Sequence, residues 1–460
     1  MSYFGAQEIP AALVTFVSLL LFIQTGTSPA LSTCYSALLS LPWVLKGVMQ
    51  RADRKSLSIA ANGRTDLPIL LRRQRLSLLC SELVIVLLLL LLSASLSPNS
   101  PLFRLFDVGG GGGQALFCQF FVLSLATAWH EVAADNYYHD GLRPSLRLFY
   151  DVPRLFVSQG MVVATYGMLI ILVGTLQVLS RSIYVGWTTA CVITAGIMGL
   201  FLAWHLLAGL GHYVKGRADK KARDVKKALH AVRHAPSMGV ALSPSLTLLL
   251  FLSFLPQALM FHTRVLFLLA PVEKGGLSRS LQEVGFVHGV VGALAFSMGI
   301  VLSRILVRRR MSRKTVGRHK VRYSQYALPK GSSLLTSVDG RMLLRFLPLL
   351  LSPSVYCFMT WLPPRMLWQL ALCTFMAQFM FGYGMHRLLS FLGLPASVGL
   401  RVPIVALCVF MPMAVSGWLA VQMGFRSFYV LDTLCGVLPV LTVLFISFWR
   451  RRNHGHSCAP

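Results

Sequence analysis

The chain has 460 residues, 55% hydrophobic and 13% charged, with a mean hydropathy of +0.66. Soluble domains carry about 25% charged residues, so a water-soluble fold is excluded. The net charge of +28 lies in gaps between apolar stretches and not in a separable basic domain, which sets nucleic acid aside and points to bilayer topology and anionic lipid headgroups.

A helix that crosses a bilayer takes about 20 mostly apolar residues. Twelve segments qualify, at roughly 3–26, 30–50, 76–97, 114–135, 155–179, 184–209, 243–270, 283–307, 342–360, 366–389, 398–421 and 426–449. The first lacks a basic flank and a small-residue cleavage site, so it is expected to be a retained helix. Lys and Arg fill alternate gaps, with seven in 51–75, eight in 215–233 and ten in 304–330. The gaps between hold only Arg104, Arg181, Lys274 with Arg279, Arg365 and Arg426. Cytoplasmic loops collect Lys and Arg. Both termini are therefore expected in the cytoplasm, in an inner, bacterial-type membrane.

The basic stretch 211–242 divides the twelve spans into an N-terminal half, 1–210, and a C-terminal half, 243–449, followed by a cytoplasmic tail, 450–460. Charges at helical spacing within the linker predict a short surface helix. The loop 308–337 is polar and basic. The glycine run 109–113 has no helix-opening Lys to make a phosphate cradle and reads as a linker. The cysteines show no metal-ligand spacing and read as small packing residues. The expected fold is all-α, with twelve transmembrane helices in two six-helix halves, the layout of the major facilitator superfamily. Such folds place the solute site at mid-membrane, here expected to be lined by helices one, four, seven and ten.

Several stretches sharpen this. LPWVLKG at 41–47, ADRK at 52–55, ATAWHEVAADNYY at 126–138, LQEVGFVHGVVGALAFSMG at 281–299, QFMFGYG at 378–384 and SGWLAVQMGFRSF at 416–428 resemble, in that order, the AmpG-type muropeptide permeases and their acetyl-CoA and folate/biopterin relatives. The resemblance implies a cytoplasmic gate formed by Pro42, Trp43, Lys46, Asp53, Arg54 and Lys55. Asp53 stands one residue early for the pattern. Gln257 and Ala377 occupy positions in helices seven and ten where the branch often carries an acid, leaving Asp432, in helix twelve, as the intramembrane acid of the second half.

An ionisable side chain in a bilayer is a functional hypothesis by default. Glu131 and Asp135 are four apart and share one helix face. With His130 beside them they form a candidate proton relay. The alternative is a structural cluster paired with loop arginines such as Arg143 or Arg147, and Lys46 could reach the membrane surface or Asp53. A second His of the zinc-protease pattern would fall at Ala134, so that motif is rejected. Arg264, with Gln257 and His262 on helix seven, offers a guanidinium for a planar anion, or an interfacial Arg. Helix ten offers Gln378 and Tyr383 as further solute contacts, and Gly382 and Gly384 would allow close helix approach. His205, His212 and His288 stand isolated, with no role assigned.

No nucleophile with its base and no dinucleotide motif is present, so no enzyme, cofactor or metal is expected. The expected function is secondary transport of a polar, anionic small solute by alternating access, with protons as a candidate coupling partner. The alternative is a non-transporting receptor or scaffold built on the same fold.

Overall fold

The computed structural model describes residues 2–60, 67–105, 113–141, 144–215, 244–315, 340–391 and 403–442. No strand occurs among them. In a bilayer core only helices or a closed barrel satisfy every backbone group, and this chain takes the first route. Eight helical stretches among the described residues are long and apolar enough to cross a membrane. The protein is an all-helical, multi-pass membrane protein.

Numbered as spans, α1 is Ser2–Gln24. α2 is Pro29–Leu38 and Leu41–Ala60, α3 is Leu67–Leu96, and α4 is Gly113–Gly141. α5 is Pro144–Val162, continued by Val163–Met168 and Leu169–Ser180, and α6 is Ile183–Lys215. α7 is Pro244–Leu269, α8 is Leu281–Val307, α9 is Gly340–Trp361 and α10 is Leu367–Phe391. α11 and α12 share the stretch Pro403–Cys435 and part at Gly424, where φ is 75° and ψ is 153°. Only glycine enters that backbone region readily, so one residue ends α11 and begins α12. Each of the twelve expected spans overlaps one of these helices in its described residues. Residues 1, 61–66, 106–112, 142–143, 216–243, 316–339, 392–402 and 443–460 lie outside the described set. With them go the expected linker helix, most of the 308–337 loop, most of the glycine run and the tail.

The chain forms two compact units, Met1–Ser28 with Leu38–Ala241, and Pro29–Ala37 with Leu242–Pro460. In the first, α3 packs on α4 and α6, and α1 packs on α4 and α5. In the second, α7 packs on the α11–α12 stretch, and α10 packs on α8 and α9. Burial separates the helices by role: 83% of the α1 window and 72% of the α7 window are buried, against 39% for α3 and 33% for α6. The last two show lipid a face that includes Leu83, Leu87, Leu200 and Leu207, so their polar residues belong on the buried face.

Three spans contain wide π-helical turns: Leu13–Val17 in α1, Val163–Met168 in α5 and Gly285–Gly292 in α8. The first two meet through Phe16 and Tyr166, stacked at 4.9 Å. Close backbone approach marks the second unit. A Cβ on Gly299 would meet the Phe379 carbonyl oxygen, one on Gly382 the Phe296 carbonyl oxygen, and one on Gly384 the Leu349 backbone. α8 and α9 thus press against α10 at backbone range.

Candidate functional site

Among the described residues, three polar clusters contain expected site residues, two in the first unit and one in the second.

The first is built on the α4 motif. Glu131 and Asp135 project from one face of α4, while Trp43 and Lys46, three apart, share a face of α2. Lys46 Nζ donates to Glu131 Oε1 at 2.8 Å and to Asp135 Oδ2 at 2.6 Å. Trp43 Nε1 donates to Glu131 Oε2 at 2.6 Å. Arg154, in the α5 span, donates to Asp135 Oδ1 at 2.8 Å. The guanidinium lies 3.8 Å above the Phe4 ring. Glu131, Asp135, Lys46 and Arg154 are all buried. Among the described residues the two carboxylates face Lys46 and Arg154, and every carboxylate oxygen accepts a bond, which is the condition under which a buried ion cluster is tolerated. The network ties α2, α4 and α5 together. Lys46 is buried, with its ammonium on Glu131 and Asp135. The side chains of Asp53, Arg54, Lys55, Arg143 and Arg147 lie outside the described set. Pro42 is buried beside Trp43.

The second cluster separates His130 from its sequence neighbours. Adjacent helix residues point about 100° apart, and while Glu131 faces α2, the His130 ring turns to α3. There its Nε2 lies 3.2 Å from Glu82 Oε1. His205 of α6 approaches the same carboxylate, with Nδ1 2.7 Å from Oε1 and 3.0 Å from Oε2. Glu82 and His130 are fully buried and His205 is 1% exposed. The Tyr3 ring stacks on His205 at 3.9 Å. His205 is therefore not isolated, as the sequence suggested, but half of a pair. Sequence reasoning also passed over Glu82, although an acid inside LLCSELVIVLLLLLL is the intramembrane charge that its own rule flags. Arg154 escaped in the same way.

The third cluster is in the second unit. Arg264 on α7 is 5% exposed. Its guanidinium lies 5.1 Å from the Phe261 ring, and its Nε has no hydrogen-bond partner among the described residues. Within its electrostatic reach lie His288 on the wide turn of α8, Tyr356 on α9 and Tyr429 on α12. The His288 and Tyr356 rings lie parallel at 6.3 Å, and Tyr356 stacks on Tyr429 at 5.7 Å. Gln378 and Thr374 of α10 stand beside the Tyr356 hydroxyl. His288 Nε2, the Tyr356 and Tyr429 hydroxyls, Thr374 Oγ1, Gln378 Nε2 and both oxygens of Asp432 share with Arg264 Nε the lack of a partner among the described residues. Buried polar atoms are bonded in about nine cases of ten. The unbonded imidazole, hydroxyl and amide atoms of His288, Tyr356, Tyr429, Thr374 and Gln378, gathered near one guanidinium, make this the polar surface best suited to a ligand among the described residues; Asp432 stands beside Tyr429.

The other expected contacts fall elsewhere. Gln257 Nε2 donates to the Leu349 carbonyl at 2.8 Å and links α7 to α9. His262 is buried edge-on to Phe261. Tyr383 accepts from Arg387 one turn further on, at 3.1 Å, and lines an apolar cavity of about 370 Å³ with Leu302, Leu347 and Phe379. His288 belongs to the Arg264 cluster and is not isolated. Tyr356 and Tyr429 carried no sequence signal, because aromatic residues in a span look like packing. Among the described residues no three His, Cys, Asp or Glu side chains are grouped to hold a metal ion.

No family model matches the sequence, and no curated protein matches it. Solved structures do match in shape. The chain is similar to the xylose transporter XylE from E. coli in an inward-open conformation, at 12% identity and a TM-score of 0.54, covering 97% of this chain and 94% of that one. It is similar to the partially occluded inward-open conformation of the same transporter at a TM-score of 0.57 and 12% identity, covering 98% and 97%. A structure reported for substrate recognition in proton dependent oligopeptide transporters matches at 11% identity and a TM-score of 0.54, covering 97% of each chain. Likeness at this identity establishes the fold alone, the major facilitator fold of two six-helix halves.

Proposed function

We propose that the chain is a secondary transporter that moves a polar, anionic small solute, muropeptide-like or of similar chemistry, by alternating access. It would sit in a bacterial-type inner membrane with both termini in the cytoplasm, and would belong, as a divergent member, to the AmpG-type branch. The observation that carries this reading is the Arg264 cluster. A buried guanidinium presents planar donors that fit a carboxylate or phosphate. Around it, hydroxyl, amide and imidazole groups stand unbonded within the span. Polar residues at this depth are costly and gain their bonds when a polar solute enters. Gln378, His288, Tyr356 and Tyr429 are the proposed co-ligands.

The test is uptake into vesicles reconstituted with the full chain, using radiolabelled anhydromuropeptide, a dicarboxylate and neutral xylose. We expect an anionic compound to be taken up and xylose not. Arg264→Gln should cut uptake at least tenfold with the protein still monodisperse. Equal uptake of xylose, or full uptake by Arg264→Gln, would overturn the solute assignment. Absence of uptake of all three, with saturable binding retained, would favour the receptor reading. Cysteine labelling at 215–233 checks orientation, and labelling there from outside intact cells would reverse it.

A further inference from the structure

We propose that Glu82, His130 and His205 form the proton-binding site of this protein, a site distinct from the Glu131–Asp135 pair. The proposal rests on the transporter reading only for what the bound proton drives.

The argument is one of bond counting. Glu131 and Asp135 have each carboxylate oxygen engaged by Lys46, Trp43 or Arg154. A proton arriving there would displace a donor from its bond. At Glu82 the carboxylate meets two imidazoles, His130 through Nε2 and His205 through Nδ1. With both rings neutral, in the tautomers that donate to Glu82, the site carries one negative charge. The outer nitrogens, His130 Nδ1 and His205 Nε2, then carry free lone pairs. Both are buried and without a partner among the described residues. One added proton on either outer nitrogen makes that ring an imidazolium. The ring keeps its bond to Glu82 and the site becomes neutral. Loading one proton therefore breaks no bond that the structure contains, and neutralises a charge that burial makes costly.

The groups facing the site from each packed helix fit this count. α1 contributes Tyr3, stacked on His205, and Tyr137 of α4 meets Tyr3 edge-on at 5.6 Å. α3 contributes Arg75, whose Nη2 donates to the His205 carbonyl oxygen at 2.7 Å. On α4, Glu131 follows His130 but is bonded to Lys46 and Trp43. On α6, Phe201 lies 6.0 Å from His205. Arg75 is engaged with a backbone oxygen, and the Glu82 carboxylate meets the imidazoles.

The test has two arms. The first uses the full chain in nanodiscs with ring-¹³C histidine and needs no solute. As the pH is lowered, two imidazole signals should move together, and they are assigned by their loss in His130→Gln and His205→Gln. In Glu82→Gln the surviving ring signals should no longer move. Signals that titrate unchanged in Glu82→Gln, or that do not titrate in the parent chain, overturn the site. The second arm measures anhydromuropeptide accumulation with the outside acid. The parent chain should accumulate it, and Glu82→Gln should only equalise inside and outside concentrations while keeping solute exchange within about twofold. Accumulation by Glu82→Gln refutes coupling through this site. Loss of exchange in both Glu82→Gln and His205→Gln also refutes it, since the triad would then serve the fold or the solute. If the first arm succeeds and the parent chain takes up nothing, the site stands and the transport reading for that solute fails.

Discussion

The two units solve the same problem, holding six helices together in lipid, by different means. The first unit uses charge: four buried ionic groups and a tryptophan tie α2, α4 and α5. The second uses contact at backbone range, where Gly299, Gly382 and Gly384 let α8, α9 and α10 approach. Its one ion pair among the described residues, Arg279 with Glu283, is partly exposed. A unit cemented by charge has its polar atoms engaged, whereas a unit packed through glycine can keep polar atoms unbonded. On the proposed reading the difference divides the labour, with structure and proton chemistry in the first unit and solute recognition in the second.

The largest expected effect comes from breaking the charged unit. Lys46→Met removes the ammonium shared by Glu131 and Asp135, and removing one partner of a buried pair costs about 3–5 kcal/mol. Unfolding in detergent, followed by denaturant titration, should register that loss. The matched change, Arg264→Met in the second unit, removes a cation for which no ion pair is seen among the described residues. It should cost less than about 1 kcal/mol, within the range of a lost hydrogen bond, while abolishing uptake. Equal destabilisation by the two would dissolve the comparison.

Backbone range is tested next. Gly382→Ala pushes a methyl into the Phe296 carbonyl, and such overpacking costs about 1–3 kcal/mol. Gly424→Ala, at φ 75° and ψ 153°, should cost about 1–3 kcal/mol through backbone strain alone. Gly196 and Gly199 on α6 have open space where an alanine methyl would stand, and alanine at either should be close to neutral. If thermal midpoints of all four variants coincide, glycine contact is not what holds the second unit.

The smallest effect concerns Gln257. Sequence reasoning placed it with the solute, but its amide serves the Leu349 carbonyl. Gln257→Leu should cost about 1 kcal/mol, the net value of a hydrogen bond, and leave the uptake KM unchanged. A tenfold rise in KM would return Gln257 to the solute site.

The spans were legible because length and hydropathy are local properties and the bilayer imposes them on each helix separately. Glu131, Asp135, Lys46, Trp43 and Arg264 were also legible, as charges or motif residues where lipid disfavours them. Their partners were not. Lys46 and Asp135 are 89 residues apart, and His205 and Glu82 are 123 apart. Nothing in a helical repeat says which faces of α3, α4 and α6 will meet. Glu82 was hidden by the apolar run around it, whose average hydropathy masks one acid. Tyr356 and Tyr429 differ from core aromatics only in having hydroxyls that find no bond, a tertiary fact.

The wide turns in α1, α5 and α8 bear on ancestry. Each is equivalent to one residue slipped into an α-helix. Set residue for residue against a helix without such a turn, every position past Val17, Met168 or Gly292 falls about 100° off its face. An alignment that follows the faces must open single-residue gaps in the middle of membrane spans, where gaps are least expected. Two chains can then share one three-dimensional layout from end to end while their letters fall out of step three times along the way.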